Sequence, residues 1–301
     1  MSAATASIDS VVAAVEPTRV AAIDHTSFRR RFFRSHAAVT GSVILILVLF
    51  SAAFASVLYP GDPRDMVAQA SIWPGQDAHY LLGTDMLGRD MAAAIFHGAR
   101  QSLFIGFAAT SLAVLVGTVI GVLSGYFGGF VDDSLMRFTE IFLTMPTLLF
   151  TIALVIILGP SGGSIALAIG LTSWPQIARL VRAEAMRVRQ YDFVSAAITI
   201  GMGHVRIILK HILPNSLSPV MVAASVMIAQ VILAEASLSF LGLGDTTVMS
   251  WGGMVGAGRA VLRTAWYMTA LPGLAIFITV MGFMLLGNGL NDVLNPRTPV
   301  R

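Results

Sequence analysis

Four segments of this chain contain no charged residue over a length sufficient to cross a lipid bilayer. They are residues 37–58, 103–126, 141–158 and 266–290, with 22, 24, 18 and 25 residues respectively. The hydrocarbon core of a bilayer is about 30 Å thick and is spanned by about 20 apolar residues in a helix. Hydrophobic residues make up 56% of the chain and charged residues 12%, whereas soluble proteins average about 45–50% and about 25%. The chain is therefore predicted to be an all-α polytopic membrane protein.

Two further segments are apolar but less regular. Residues 217–234 form an 18-residue uncharged stretch that continues past Glu235 to Leu243. Residues 163–178 are uncharged for only 16 residues, contain Pro175 and lead directly into a charged region. We expect there a helix that begins in the membrane and continues into the cytoplasm. These two segments bring the predicted number of transmembrane helices to six, with five as the alternative.

The distribution of cationic residues predicts the orientation of these helices. With a cytoplasmic N-terminus, the cytoplasmic segments hold 14 of the 19 Lys and Arg residues and the external loops hold five. Cytoplasmic loops carry an excess of Lys and Arg, so both termini are predicted to be cytoplasmic. The string Ala53-Phe54-Ala55 is similar to a signal-peptidase site. Its apolar segment has 22 residues, whereas that of a signal peptide has about 7–15, so we expect an uncleaved anchor.

Several classes of chemistry are not indicated by the sequence. The chain contains no cysteine, which excludes disulfides, thiolate zinc sites and cysteine nucleophiles. No Gly-x4-Gly-Lys-Ser/Thr string is present, so no P-loop for ATP is predicted. The six histidines show no metal-ligand spacing. We therefore expect no metal, no cofactor and no catalytic residue in this chain.

One string is typical of a serine nucleophile. Gly159-Pro160-Ser161-Gly162-Gly163 matches the Gly-x-Ser-x-Gly pattern and the Gly-x-Ser-Gly of rhomboid intramembrane proteases, which also have six spans. A nucleophilic serine requires a base within hydrogen-bond reach. The only histidines after Ser161 are His204 and His211, both in the predicted cytoplasmic segment. An external turn, in which Gly and Ser are common, is therefore the favoured interpretation.

Residues 187–215, between the fourth and fifth predicted spans, have a distinctive pattern. They predict a short helix, a break at Gly201 and Gly203, and a second helix that stops at Pro214. The second helix carries an apolar stripe at helical spacing, formed by Val205, Ile208, Leu209 and Ile212. A helix on a lipid surface would explain the stripe. It would not explain the two glycines, which permit a positive φ or a close backbone approach.

This segment resembles the EAA loop of importer-type ABC transporter permeases. The resemblance lies in the spacing of Ala196, Ala197, Gly201, Ile212, Leu213 and Pro214. In that family the loop is a coupling helix that docks into a cleft on the cytoplasmic ATPase subunit. The resemblance implies that these six residues, together with Ser195 and Gly203, form the ATPase-coupling site. Ser195 stands where a glutamate is usual in the family.

An external string narrows the resemblance to the C-type permease subunit of dipeptide, oligopeptide and nickel importers. Residues 81–90 read Leu-Leu-Gly-Thr-Asp-Met-Leu-Gly-Arg-Asp, and further matching strings lie at 98–103, 235–244, 250–252 and 291–297. We name as the external motif Gly83, Thr84, Asp85, Gly88, Arg89 and Asp90. Its glycines suit a turn, and opposite charges four residues apart can pair. Packing against a partner permease is its favoured role, and contact with a substrate-binding protein is the alternative.

The resemblance implies the type I ABC importer permease fold, with six transmembrane helices, in a bacterial inner membrane. It divides the chain into a cytoplasmic N-terminal segment (1–36), a first transmembrane helix (37–58), a periplasmic loop (59–99), a five-helix transmembrane domain (100–292) that includes the coupling segment 187–215, and a cytoplasmic tail (293–301). The implied partners are a second permease, one or two ATPase subunits that bind ATP and Mg, a periplasmic substrate-binding protein and membrane lipid. No nucleic acid is expected.

Three questions stay open at this point. Di- and oligopeptides are the implied cargo, with nickel or a small ligand such as glutathione as alternatives. Glu235 lies in an apolar span, where a carboxylate usually faces the bundle interior or a cavity, so both a place in the transport pathway and a structural role are possible. A secondary transporter would normally show inverted repeats. The spacing of the spans shows none, because the loop at 59–99 has no counterpart.

Overall fold

The computed structural model describes residues 25–294, which are helical apart from loops and one isolated β-bridge between Thr84 and Asp90. The helices in chain order are α1 (His25–Arg34), α2 (His36–Leu58), α3 (Met91–Phe127), α4 (Gly129–Thr144), α5 (Thr147–Leu158), α6 (Gly162–Arg189), α7 (Asp192–Thr199), α8 (His204–Ile207), α9 (Leu213–Leu238), α10 (Trp251–Gly258) and α11 (Tyr267–Leu294). Two π-helical turns, Ile208–Ile212 and Ser239–Leu243, precede and follow α9. The predictions for residues 1–24 and 295–301 lie outside the described residues.

The long helices agree with a polytopic membrane protein. Four are long and apolar enough to cross a membrane, namely α2, α3, the continuous helix His204–Leu243 and α11. Helices α4 and α5 meet at a bend of 86° and together qualify as a fifth span. Helix α6 is not among them because its second half is charged, although it continues unbroken through Pro175 for 28 residues. The all-α membrane fold is confirmed, and the number of six spans stays a prediction.

Polar side chains define where several helices begin. Ser35, Asp90, Ser161 and Ser250 precede α2, α3, α6 and α10, and each side chain accepts a hydrogen bond from a backbone N–H of the first turn. The first four N–H groups of a helix have no partner within the helix, so these caps satisfy donors that would otherwise be unpaired. The starts of these four helices are thus organised by short-range side-chain to backbone bonds.

The central contact of the fold is the pairing of α3 with α6. Gly117, Gly121 and Gly125 recur at every fourth residue on the face of α3 that meets α6. A Cβ atom at Gly121 would lie 2.5 Å from the carbonyl oxygen of Ala178, and one at Gly125 would lie 2.6 Å from that of Arg182. Only glycine therefore permits this separation of the two backbones. Within a membrane, such close approach is what allows packing to hold helices together.

An ion pair joins α4 to the same two helices. Arg182 Nε and Nη2 in α6 each lie 2.6 Å from an oxygen of the Asp132 carboxylate in α4. Ser124 in α3 also donates a hydrogen bond to that carboxylate. The two parallel bonds have the geometry of a strong guanidinium–carboxylate pair, and Asp132 is buried. Loss of Arg182 would leave the buried Asp132 carboxylate without its compensating charge, so this contact fixes α4 against the α3–α6 pair.

The packing of α3 on α6 predicts the effect of enlarging Gly121. Gly121→Leu should lower the thermal stability of the solubilised protein strongly, because overpacking a close contact costs about 1–3 kcal/mol or more. Val119→Leu is the matched control, since Val119 lies on the same helix and is 52% exposed. Thermal unfolding monitored by size-exclusion chromatography measures both variants. Equal stability of Gly121→Leu and Val119→Leu would contradict this account of the contact.

Candidate coupling segment and external motif

The predicted coupling segment folds as α7, a glycine turn and the beginning of the helix His204–Leu243. Helix α7 ends in a Schellman motif, in which the N–H of Gly201 donates to the carbonyl of Ile198 and that of Met202 donates to the carbonyl of Ala197, each at 3.0 Å. Gly201 has a φ of +77°, which is costly for a residue with a Cβ atom. A Cβ there would meet no atom within 4 Å. Glycine is therefore required at this position by backbone conformation and not by crowding.

Gly203 differs from Gly201 in this respect. Its φ is −64° and its ψ is 146°, and it precedes α8 as the N-cap residue. A Cβ at Gly203 would also meet no atom within 4 Å. Residues of any type adopt this conformation. Of the two glycines that were predicted to break the helix, only Gly201 therefore has a backbone conformation that requires glycine.

The four residues of the predicted apolar stripe after Gly203 differ in their burial. Ile212 is buried and Ile208 is partly buried, but Val205 and Leu209 are exposed. The second fully buried position is Ile207, five residues before Ile212. The physical reason is the π-helical turn Ile208–Ile212, whose hydrogen bonds span five residues. A stripe computed for an α-helix therefore drifts out of register across this turn.

The prediction that the second helix stops at Pro214 is wrong. The helix continues through Leu213 and Pro214 into α9 and ends at Leu243. Proline inside an α-helix normally clashes with the carbonyl four residues earlier. Here the Leu213 N–H donates to the carbonyl of Ile208, five residues earlier, so the helix is wider just before Pro214. The π-helical turn thus allows the proline to lie at the start of a membrane-spanning helix.

The coupling segment presents apolar side chains to its surroundings. We name as the coupling face the four exposed residues around the Gly201 turn, which are Ile198 (49% exposed), Ile200 (76%), Val205 (70%) and Leu209 (59%). Of the predicted coupling residues, Ser195, Ala196, Gly201, Gly203 and Pro214 are exposed, Leu213 is partly buried, and Ala197 and Ile212 are buried. The first group is available to a partner, and the buried pair holds the segment on the helix bundle.

The external motif forms a compact loop whose glycines are conformationally required. Gly83 and Gly88 have φ values of +76° and +77°, and a Cβ at either would lie within 2.3 Å of a carbonyl oxygen of residues 68–72. Thr84 is fully buried. Its hydroxyl donates to the carbonyl of Gln69 at 2.7 Å and accepts from the N–H of Ile72 at 3.0 Å. These contacts pack the motif against residues 67–74 of the same chain.

The charged residues of the motif do not pair as the sequence suggested. Asp85 Oδ1 accepts hydrogen bonds from the backbone N–H groups of Leu87 (2.7 Å) and Arg89 (2.9 Å). Asp90 accepts from the N–H of Ala92 and caps α3, and its burial raises the pKa of its carboxyl group. Within residues 25–294, Arg89 forms no ion pair. The Asp85 carboxylate thus organises the loop backbone and does not form an ion pair with Arg89.

Glu235 is enclosed by serine hydroxyl groups. It is 1% exposed, and its Oε1 accepts from Ser239 and Ser250, both at 2.8 Å. Ser102 lies 3.5 Å from Oε2. Next to it, a Cβ at Gly252 would lie 2.6 Å from the Cα of Ala236, so α10 lies directly against α9. This arrangement supports the structural alternative for Glu235, which joins α9, α3 and α10.

The serine string at 159–163 lies far from His204, which follows it in the chain. Ser161 is the N-cap of α6 and accepts from the N–H of Ser164 at 3.1 Å. His204 follows the far end of α6 and bonds through Nδ1 to the hydroxyl of Tyr126 at 2.9 Å. A helix of 28 residues is about 42 Å long, so the serine and this histidine lie at opposite ends of it. The geometry therefore favours the turn and not the rhomboid-type protease.

Sequence reasoning did not single out a group of exposed polar side chains on the membrane helices. Gln176 and Arg179 on α6 and Gln230 on α9 are exposed. Gln176 and Gln230 line one depression together with Thr151, Thr172 and Ser173. The sequence could have indicated this group, because these polar residues stand in otherwise apolar segments. A polar side chain at membrane depth normally faces a cavity or a partner.

The surroundings of Glu235 predict different results for two substitutions. Glu235→Gln should retain nearly wild-type stability, since its carbonyl oxygen can accept from both Ser239 and Ser250. Glu235→Leu should destabilise the protein, because each hydroxyl left unpaired costs about 1–3 kcal/mol. Thermal unfolding of the solubilised protein compares the two. A Glu235→Gln protein with wild-type stability but no transport would instead favour a role of the charge in the pathway.

The chain is similar to transport proteins along nearly its whole length. The family model for binding-protein-dependent transport system inner membrane components matches residues 117–299, and that for the N-terminal TM domain of oligopeptide transport permease C matches residues 26–76. The chain is 40% identical over 260 residues to the probable D,D-dipeptide transport system permease protein DdpC of Escherichia coli K12, covering 86% of this chain and 87% of the relative. It is 36% identical over 290 residues to the di/tripeptide transport system permease protein DppC of Pseudomonas aeruginosa, covering 94% and 96%.

A third relative and a solved structure complete the comparison. The glutathione transport system permease protein GsiD of Pectobacterium atrosepticum is 36% identical over 271 residues, with 90% of each chain covered. The inward-facing MetNI methionine ABC transporter matches with a TM-score of 0.54 at 18% identity, over 67% of this chain and 95% of that chain. The predicted ABC importer permease fold and the predicted family resemblance are thereby confirmed. The chain belongs to the family of binding-protein-dependent transport system inner membrane components.

Proposed function

We propose that this chain is one permease subunit of an ATP-driven importer of di- and oligopeptides in a bacterial inner membrane. A second homologous permease completes the transport pathway, and a periplasmic substrate-binding protein delivers the peptide. One or two ATPase subunits bind ATP and Mg, so this chain is not itself an enzyme. Both termini and the coupling face lie on the cytoplasmic side. The family supports this assembly, and relatives named for D,D-dipeptides, di/tripeptides and oligopeptides support the cargo.

The coupling face is the observation that carries this proposal. Its four large apolar side chains surround a tight turn at Gly201, and the cationic side chains of Arg206 and Lys210 are exposed beside them. A contiguous exposed apolar surface with a polar rim is typical of a protein interaction site. The face lies between two helices that continue into the membrane domain. A protein bound there would therefore act directly on the helix bundle.

The helix His204–Leu243 provides the path by which such a partner moves the permease. Its α-helical part α9 has 26 residues and is therefore about 39 Å long. The first turn of the whole helix belongs to the coupling face, and near its other end Glu235 joins it to α3 and α10. A displacement of the coupling face during the ATPase cycle is thus transmitted to the opposite side of the membrane.

The exposed polar side chains of the membrane helices support a shared pathway. An amide group facing lipid has no hydrogen-bond partner and costs several kcal/mol. Gln176 and Gln230 therefore face the second permease or a water-filled passage between the two subunits. Both amides can donate and accept hydrogen bonds, which suits the backbone of a peptide in transit.

Glutathione is the second candidate cargo, because the GsiD relative is named for its transport. It is a small peptide with two carboxylate groups, so it would use the same passage as other short peptides. Nickel is the remaining alternative from the sequence. Uptake of a labelled dipeptide, glutathione and nickel by the same reconstituted complex separates the three cargoes. If the complex imports neither the dipeptide nor glutathione when ATP is present, the proposed function is contradicted.

The conformation of Gly201 predicts how coupling is lost. Gly201→Val should reduce peptide uptake and ATPase stimulation by tenfold or more, because a β-branched residue is strongly disfavoured at positive φ and the Schellman turn would be disrupted. Gly163→Val is the matched control, since Gly163 lies at the end of α6 far from the coupling face, has no positive φ and has no atom within 4 Å of an added Cβ. Both activities are measured on the reconstituted complex after confirming equal assembly. Wild-type uptake and ATPase stimulation in Gly201→Val would contradict the coupling role of this segment.

A further inference from the structure

A cavity of about 310 Å³ lies beside the external motif, at the far end of the molecule from the coupling face. Residues of the motif form one side of it, and residues 239–258 form the other. Its apolar wall contains five methionines, which are Met86, Met91, Met249, Met254 and Met268, beside Leu87, Val248 and two alanines. Cavities that bind small molecules begin at about 300 Å³, so this one can receive a single amino acid residue or a very short peptide.

The polar wall of the cavity contains one guanidinium group and two carboxylates. Asp85 and Asp245 already accept hydrogen bonds within the chain: Asp85 from its own loop, and Asp245 from Thr247 and from the N–H of Gly162. Arg89 differs, because it lines the cavity and forms no ion pair within residues 25–294. A ligand that brings a carboxylate to this guanidinium group would gain a charge-assisted hydrogen bond in the cavity.

We propose that this cavity is a substrate subsite that receives the C-terminal residue of a short peptide, with its carboxylate on Arg89 and its side chain among the methionines. This inference rests on the proposed peptide cargo. Guanidinium is the side-chain group best suited to bind a carboxylate, through two parallel hydrogen bonds. The two acidic residues in the wall would repel a purely anionic ligand. They suit a zwitterion, such as a peptide with a free amino group and a free carboxylate.

The methionine wall explains how one subsite accepts many different residues. Methionine is unbranched and polarisable, so it adapts to irregular shapes, and proteins that bind many partners use flexible methionine-rich surfaces. Three of the five methionines, Met91, Met254 and Met268, are buried, whereas Met86 is exposed at the rim. The subsite therefore combines one fixed polar contact with an adaptable apolar lining.

The cavity is also connected to the coupling face. Ser239 and Ser250 line the cavity, and both donate hydrogen bonds to Glu235 in the helix His204–Leu243. The coupling face lies at the other end of that helix. A movement of the helix would therefore displace one wall of the cavity, so the subsite is placed to release its occupant during the ATPase cycle.

Filling the cavity tests its role in binding the side chain. Gly253 lines the cavity, and a Cβ there would meet only the Ser250 hydroxyl, at 3.4 Å. Gly253→Leu should lower the uptake of Ala-Phe by tenfold or more relative to Ala-Gly. Gly163→Leu is the matched control, because Gly163 also lies in the first turn of a helix capped by serine and has nothing within 4 Å. It should leave the ratio of the two uptake rates unchanged.

The outcomes of this experiment are distinguishable. If the wild-type complex imports neither dipeptide with ATP, the proposed cargo is wrong. If the wild-type complex imports both, and Gly253→Leu imports them at wild-type rates or with equal losses, the subsite is wrong. A selective loss of Ala-Phe supports it. The same binding protein serves every complex, so a changed ratio is attributable to the permease.

Arg89 is tested by removing the charge of the peptide's C-terminus. The wild-type complex should import Ala-Phe better than Ala-Phe-amide, and Arg89→Gln should reduce that preference by tenfold or more. Arg64→Gln is the control, since Arg64 pairs with Asp62 on the exposed part of the same loop. Arg89→Gln with an unchanged preference and wild-type assembly would overturn the carboxylate contact. If Arg89→Gln fails to assemble, Arg89→Lys, which keeps the charge, must retain part of the preference or the contact is equally overturned.

Discussion

The close approach of α3 and α6 is the constraint on which the rest of the structure depends. Three glycines on one face of α3 permit it, and a side chain at Gly121 or Gly125 would collide with the backbone of α6. The approach brings Ser124 and Arg182 to the same carboxylate of Asp132. That contact in turn fixes α4. The position of α6 determines where the chain leaves the bundle, and hence where the coupling face is presented.

The second requirement is a single helix that joins the two ends of the molecule. The helix His204–Leu243 keeps its continuity past Pro214 because a π-helical turn precedes the proline. Near its far end, the buried Glu235 connects it to the serines of α3 and α10. An ionisable group is energetically costly within a membrane. The hydrogen bonds that the Glu235 carboxylate accepts compensate for part of this cost. The coupling face and the methionine-lined cavity are therefore parts of one mechanical unit.

Hydropathy and short motifs were sufficient to predict the membrane fold, the family and the glycine-dependent turns at Gly83, Gly88 and Gly201. The predicted end of the helix at Pro214 was wrong because a π-helical turn has no clear signal in one sequence. The pairing of Asp85 with Arg89 was wrong because a nearby backbone N–H competed for the carboxylate. Asp132 and Arg182 are 50 residues apart, so their contact depends on tertiary packing. The glycines of α3, spaced every fourth residue, were a readable signal that sequence reasoning did not use.

The central claim is that the coupling face is the surface on which a partner ATPase acts. The chain contains no cysteine, so a cysteine introduced at Ile200, the most exposed residue of that face, would be its only thiol. A photoactivatable crosslinker attached there should join this chain to the ATPase subunit, with a yield that changes when ATP is added. The same label at Leu47, which is exposed in the middle of α2, should give no such product. Crosslinking of Ile200 to lipid alone, with and without ATP, would contradict the account.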